Sequence, residues 1–126
     1  MIYYPFDTRI HNFGNVGFGG KIHATFAPYI TRSIDRKRYY GRNIREEIND
    51  YIEKKYHNSR ALDLCCGIGI STSKYGIDTS SEFIKKAKKI YPTKYFEIAN
   101  AENYKPSKKY DVVTCMFSFH EMPEYA

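Results

Sequence analysis

Arg60-Ala61-Leu62-Asp63-Leu64-Cys65-Cys66-Gly67-Ile68-Gly69 is the stretch on which the fold turns. Ala61, Leu62 and Leu64 make a short apolar run suited to a buried strand of a parallel sheet, and the run breaks into a glycine-bearing turn. Gly67 and Gly69 permit positive backbone angles and leave out side chains that would keep a ligand from the main chain. Asp63 stands at the mouth of the turn, where a carboxylate can hold a cationic group and would repel a pyrophosphate. An ordinary strand-to-helix turn has the same two glycines, so the flanking segments decide between the readings.

On the N-terminal side, residues 1–20 have a loop composition, with Asn12, Gly14, Asn15, Gly17, Gly19 and Gly20 following several aromatics. Such a segment is either a flap over a site or a loosely ordered terminus. From Ile22 onward, Phe26, Ile30 and Ile34 recur every four residues, which predicts a helix that Pro28 should kink or restart. Gly41 then breaks the chain. Asn43 is placed to cap a second helix with Glu46 three residues on, and Ile44, Ile48, Tyr51, Ile52 and Tyr56 form its apolar face.

On the C-terminal side, Tyr75 to Asp78 reads as a second strand ending in an acid. A crossover between parallel strands normally takes at least about 10–12 residues including its helix. Only Ile70 to Tyr75 lie between Gly69 and Gly76, so the helix should be absent or cut to one turn. Thr79 to Glu82 offers a T-x-x-E capping box for a helix whose buried face is Phe83, Ile84, Ala87, Ile90 and Tyr91, stopped by Pro92. Tyr95 to Ala99 is a third strand and Asp111 to Phe117 a fourth, the most apolar of the set. The order predicts an α/β chain with a parallel, Rossmann-like sheet preceded by N-terminal helices.

At 126 residues the chain fits one core, divided here into an N-terminal loop and helical cover (1–59) and a sheet-bearing part (60–126). Its net charge of +6 favours nucleic acid, an anionic surface or an acidic small molecule without naming one. Lys85, Lys86, Lys88 and Lys89, the densest basic group, suit a solvated helix face. The three cysteines, Cys65, Cys66 and Cys115, lack metal-ligand spacing and read as reduced and buried. No apolar run approaches the roughly 18 residues of a membrane span, and no leader pattern opens the chain. The expectation is an intracellular, cytoplasmic protein.

Ligands of open parallel sheets bind at the carboxyl ends of the strands. Four such ends carry suggestive residues here: Asp63, Cys65, Gly67 and Gly69; Asp78, an acid able to accept both hydroxyls of a ribose; Asn100 with Ala101 and Glu102; and Phe117 to His120. With these four in order, the segment Arg60 to Pro123 resembles the class I S-adenosylmethionine-dependent methyltransferases. Leu62 to Gly69 is similar to their glycine-rich first motif, Gly76 to Ser80 to the second, and Asn100-Ala101-Glu102 to the adenine-side third. Tyr110 to Val113 through Phe119 to Pro123 is similar to the fourth strand and the segment after it.

The resemblance implies a cofactor, S-adenosylmethionine, with Asp63 helping to anchor the methionine part, Asp78 the ribose, and Asn100 with Glu102 the adenine side. Phe117 would lie beside the cofactor, and His120 is the candidate general base for transfer to an acceptor. It also implies strand order 3-2-1-4. Cys65 departs from the family pattern by standing where a first glycine is usual. The chain ends after the fourth strand of a seven-stranded family sheet, which predicts an apolar edge and pairing with a second copy or a complementing chain. A truncated binding module without turnover is the alternative from another class. A nicotinamide-dependent oxidoreductase fits less well, since its fingerprint places the acid about 20 residues on, and Asp78 comes nine after Gly69. Nucleic acid stays open as a methyl acceptor.

Overall fold

The structure, a computed structural model, describes residues 17 to 118. In chain order these form helices α1 (Gly17–Arg38) and α2 (Ile44–Lys55), strand β1 (Ala61–Leu64), strand β2 (Tyr75–Asp78), helix α3 (Ser81–Ile90), strand β3 (Tyr95–Ile98) and strand β4 (Val112–Cys115). All strand pairs are parallel and the order is β3-β2-β1-β4, as the sequence predicts. The predicted strand cores are right, although the ladder closes at Ile98 rather than Ala99. The fourth strand is likewise confined to Val112–Cys115 within the predicted 111–117.

Register sets the two faces. Asp63 pairs with Gly76 and Thr114, and Gly76 with Phe96, so these four point to one side. There α3 lays Ile84 and Ala87 against Phe96 and Cys66 to make the core. A side chain at Gly76 would place its Cβ 2.8 Å from the Cys66 Sγ, which is why this strand carries glycine at its centre. On the other side Tyr75 stacks on Tyr95 at 5.3 Å and meets Tyr110 edge-on, with the Arg60 guanidinium 4.9 Å from both Tyr75 and Tyr110.

No helix connects β1 to β2, as the short spacing demands. The connection is held by hydrogen bonds instead: Cys66 N–H donates to the Ile77 carbonyl at 2.9 Å and Gly69 N–H to the Cys66 carbonyl at 2.9 Å. Ile68 and Ile70 are buried against Ala27 of α1, so an N-terminal helix supplies the packing that a crossover helix would otherwise give.

Four expectations need correction. First, α1 starts at Gly17, inside the predicted loop, and continues through Pro28. Its apolar stripe is not the packed side: Ile22, Phe26, Ile30 and Ile34 are each about half exposed, whereas Gly20, Ala24, Ala27 and Asp35 are buried. Small residues let the helix approach α3 closely, with His23 edge-on to Phe83 at 4.8 Å.

Second, Asn43 occupies the N-cap of α2 but its side chain makes no capping bond; its Oδ1 accepts from Arg36 Nε at 3.3 Å. Glu46 accepts from Arg32, and of the predicted apolar face only Ile52 is fully buried. Third, Ser80 rather than Thr79 caps α3, its hydroxyl accepting from Phe83 N–H, while Glu82 pairs with Lys85. Fourth, the cysteines are free as expected, but only Cys66 is buried.

Candidate functional site

At the carboxyl ends of β1 and β4 lies a cavity of about 210 Å³. The glycine turn forms its floor, through Cys65, Cys66 and Gly67. Met116, Phe117 and Ser118 beyond β4 form one wall, and His23, Ala27 and Thr31 of α1 with Arg45 of α2 form the other. Cys65 (φ 55°) and Phe117 (φ 61°) both hold the left-handed backbone region that costs non-glycine residues about 1–2 kcal/mol. Strained residues of this kind cluster at functional sites. A larger hollow of about 290 Å³ lies on the opposite face among Tyr75, Tyr95, Tyr104 and Tyr110; it shares none of the turn residues and is flanked by exposed side chains.

The two glycines of the turn do different things. A Cβ on Gly67 would meet nothing nearer than the Phe83 ring at 3.8 Å, so its main chain faces open space. A Cβ on Gly69 would sit 2.7 Å from Phe96 Cζ, so that glycine serves the core and not a ligand. Cys65, in the place of the first glycine, is half-buried, and burial followed by the neighbouring Asp78 charge pushes its thiol up to about 12. It is an inert thiol at neutral pH.

Asp63 is only 2% exposed. Its Oδ2 accepts from Ser71 Oγ at 2.7 Å and Thr72 Oγ1 at 2.9 Å, and its Oδ1 accepts from Thr114 Oγ1 at 2.9 Å. Burial raises its carboxyl above the usual range, and the three hydroxyls and Arg45 work against that rise. The residue therefore lies beneath the turn, tying it to β4, and its charge reaches the cavity only as a field. It does not stand at the mouth of the turn as the sequence suggests.

Asp78 ends β2 beside the turn. Its Oδ2 accepts from Gly67 N–H at 2.9 Å and its Oδ1 from Ser80 N–H at 2.8 Å. Asn100, nearly buried, accepts from Glu102 N–H through its Oδ1 at 3.0 Å, closing a local turn next to β2, where Ala99 N–H donates to the Asp78 carbonyl. Ala101 is half-buried and Glu102 exposed. The structure thus brings Cys65, Gly67 and Phe117 to the cavity, ties Asp78 to the Gly67 amide of its floor, sets the Asn100 turn at the end of β3 beside β2, and leaves Gly69 and Asp63 in the interior. His120 lies outside the described residues.

Sequence reasoning missed the helical wall. His23, Ala27 and Thr31 recur every four residues, but one small and two polar side chains give no apolar signal. Arg45 was hidden among the charges of α2. It donates from Nε to Asp35 Oδ2 at 2.8 Å, and its guanidinium lies 4.2 Å from the Phe117 ring centroid. Among the described residues no group of His, Cys, Asp and Glu could hold a metal ion, and no helix is long and apolar enough to cross a membrane.

Known proteins bear on this arrangement. No protein-family model matches the chain. Over 70 residues it is 36% identical to protein 235L of Invertebrate iridescent virus 6, named as a candidate methyltransferase; the match covers 48% of this chain and 26% of that protein. Among solved structures it is similar to an S-adenosylmethionine-dependent methyltransferase from Clostridium acetobutylicum (TM-score 0.54, 20% identity, 71% of this chain and 43% of that one). It is also similar to CalS10, an amino pentose methyltransferase from Micromonospora echinaspora solved with S-adenosylmethionine (TM-score 0.54, 19% identity, 75% and 42%). A third is DesVI of Streptomyces venezuelae (TM-score 0.52, 18% identity, 76% and 42%). The fold is that of the class I S-adenosylmethionine-dependent methyltransferases. The chain spans about a quarter of the curated relative and about two fifths of these solved chains.

Proposed function

We propose that this chain forms the cofactor-binding part of an S-adenosylmethionine-dependent methyltransferase. The observation that carries the reading is the cavity at the ends of β1 and β4, walled by the strained Phe117 and floored by the strained Cys65 and by Gly67, whose amide is held by Asp78 at the end of β2. The sequence match to a viral protein with a methyltransferase name supports it.

The residues fit the cofactor. Gly67 leaves its main chain open, a carboxylate, the group type that takes ribose hydroxyls, ends β2 beside the turn, and the cavity size suits the amino-acid arm of the molecule. When bound, S-adenosylmethionine supplies a sulfonium methyl for in-line displacement by an acceptor nucleophile. The chain's own residues bind and orient. Asp78 fixes the Gly67 amide and so the shape of the turn. The buried Ile68 and Ile70 keep water from one side. Positioning of this kind is worth about 7–11 kcal/mol when aligned. The free cysteines suit a reducing, intracellular setting.

Among the described residues β4 is at the edge of the sheet with Val113 55% exposed, which supports pairing there with a second copy or a complementing chain. The test is calorimetric titration with S-adenosylmethionine and, separately, NADH, with the solution mass measured by sedimentation. Saturable binding of the first alone is expected. Binding of NADH alone, or of neither by a folded protein, would overturn the reading, and a strictly monomeric mass at all concentrations would remove self-pairing.

A further inference from the structure

We propose that the amino-terminal ends of the four strands form a docking surface for a single-stranded nucleic acid, on the pole of the molecule opposite the cavity. The inference goes beyond the proposed function and does not depend on what the cavity binds. It rests on where the topology gathers charge and aromatic rings. In a parallel sheet all strands start at one end, and a helix that leads into a strand finishes there. Lys54 and Lys55 close α2 ahead of β1, Lys88 and Lys89 close α3 ahead of β3, and Lys108 and Lys109 precede β4. With Arg60, Lys74 and Lys94 included, segments 53–60, 74–75, 88–95 and 107–111 hold nine Lys and Arg against two acids, Glu53 and Asp111. Their net +7 exceeds the +6 of the whole chain, so the remainder is close to neutral and the positive field belongs to this pole.

Part of that charge serves the fold. Lys74 Nζ donates to the His57 and Ser59 carbonyls at 2.6 and 2.7 Å, Lys94 Nζ to the Thr72 carbonyl at 2.5 Å, and Arg60 Nε to the Lys109 carbonyl at 3.3 Å. Lys54, Lys88, Lys89, Lys108 and Lys109 are exposed, and their ammonium groups make no hydrogen bond or ion pair with any described residue. The helix macrodipole accounts for lysines in the last turns of α2 and α3. It does not account for Lys108 and Lys109, which follow no helix.

The same end carries a ladder of rings. Tyr95 and Tyr75, paired at the starts of β3 and β2, stack at 5.3 Å; the Arg60 guanidinium continues the row against Tyr75 and Tyr110. Among the described residues β3 lies at the edge of the sheet, and Tyr95 is 69% exposed, so its ring is open to an unstacked base. The hollow of about 290 Å³ opens beside it. An aromatic platform flanked by free cations is the arrangement that holds single strands with little regard to sequence, the bases on the rings and the phosphates on the lysines. A duplex keeps its bases stacked within and offers Tyr95 nothing.

The test is fluorescence anisotropy of a fluorescein-labelled 12-nucleotide oligothymidylate with the full chain at 50 and 200 mM salt. Saturable binding is expected, with log K against log salt falling by about 0.7 per phosphate neutralised. Lys108→Gln/Lys109→Gln should reduce that slope by about 1.4, whereas Lys21→Gln/Lys37→Gln, which removes the same charge from exposed positions of α1, should leave it unchanged. Tyr95→Ala should weaken the oligonucleotide about five- to hundredfold with the slope kept, Tyr95→Phe should match the parent, and neither should alter binding of a 12-base-pair duplex. Circular dichroism checks that each variant is folded. No binding at 50 mM salt, equal slope changes from the two lysine pairs, or unchanged affinity in Tyr95→Ala would overturn the proposal. Equal losses of single strand and duplex in Tyr95→Ala would overturn it too. So would binding of phosphatidylserine vesicles by a chain that ignores the oligonucleotide, which would assign the pole to a lipid surface.

Discussion

Replacing each glycine of the turn by alanine separates two reasons for its presence. Gly67 has φ 55° with its nearest would-be contact at 3.8 Å, so Gly67→Ala should meet only the left-handed backbone cost of about 1–2 kcal/mol. Gly69 has φ 86°, and its new Cβ would lie 2.7 and 2.8 Å from two atoms of the Phe96 ring and 3.3 Å from Tyr91. Phe96 cannot swing away, being 7% exposed and packed on Ile84, Ala87 and Cys66. Gly69→Ala should therefore add an overpacking cost of about 1–3 kcal/mol to that backbone cost, for a total of about 2–5 kcal/mol. Urea unfolding followed by circular dichroism reads the difference; with a slope of about 1–2 kcal/mol/M, the midpoint of Gly69→Ala should lie roughly 1 M below that of Gly67→Ala. Shortening the ring supplies the check, because Phe96→Leu in the Gly69→Ala background should cost less than Phe96→Leu alone. Equal midpoints for the two alanine variants, or strict additivity in the double variant, would refute the packing account.

Asp78→Ala should lower affinity for S-adenosylmethionine at least about tenfold by calorimetry and cost about 1–3 kcal/mol of stability, because the Gly67 and Ser80 amides lose their acceptor. Unchanged affinity would remove the ribose assignment. Asp63→Ala should destabilise by about 2 kcal/mol or more by orphaning three hydroxyls, whereas Asp63→Asn, which keeps acceptor and shape, should stay much closer to the parent in thermal unfolding. Cys65, raised to about 12, keeps its proton in the folded state while the unfolded thiol loses its own near pH 8.5–9. The folded chain then binds more protons, so stability is full below about pH 8.5 and falls as pH rises toward 12, by up to about 1.4 kcal/mol per pH unit from this group. Cys65→Ser should flatten that slope, and an unchanged alkaline slope would count against the burial argument.

The sequence by itself determined the parallel sheet, its strand order through the motif resemblance, and the absence of a crossover helix. Those features are local: apolar runs of four residues, the turn between them, and a spacing too short for a helix all sit within one stretch of chain. It also placed Gly67, Cys65, Asp78 and Phe117 near strand ends. What it left open depends on contacts between distant segments. A period of four announces α1 but does not say which side packs, and close approach favours Gly20, Ala24 and Ala27 over the larger apolar stripe. Asp63 looks like a ligand group until Thr114, 51 residues away, and the hydroxyls of Ser71 and Thr72 close over it. Arg45 looks like one surface charge among many until Asp35 and Phe117 fix its two sides. Strand identity follows from short-range hydrophobic pattern, whereas a side chain's availability is decided by which other segments spend its lone pairs, its protons and its surface.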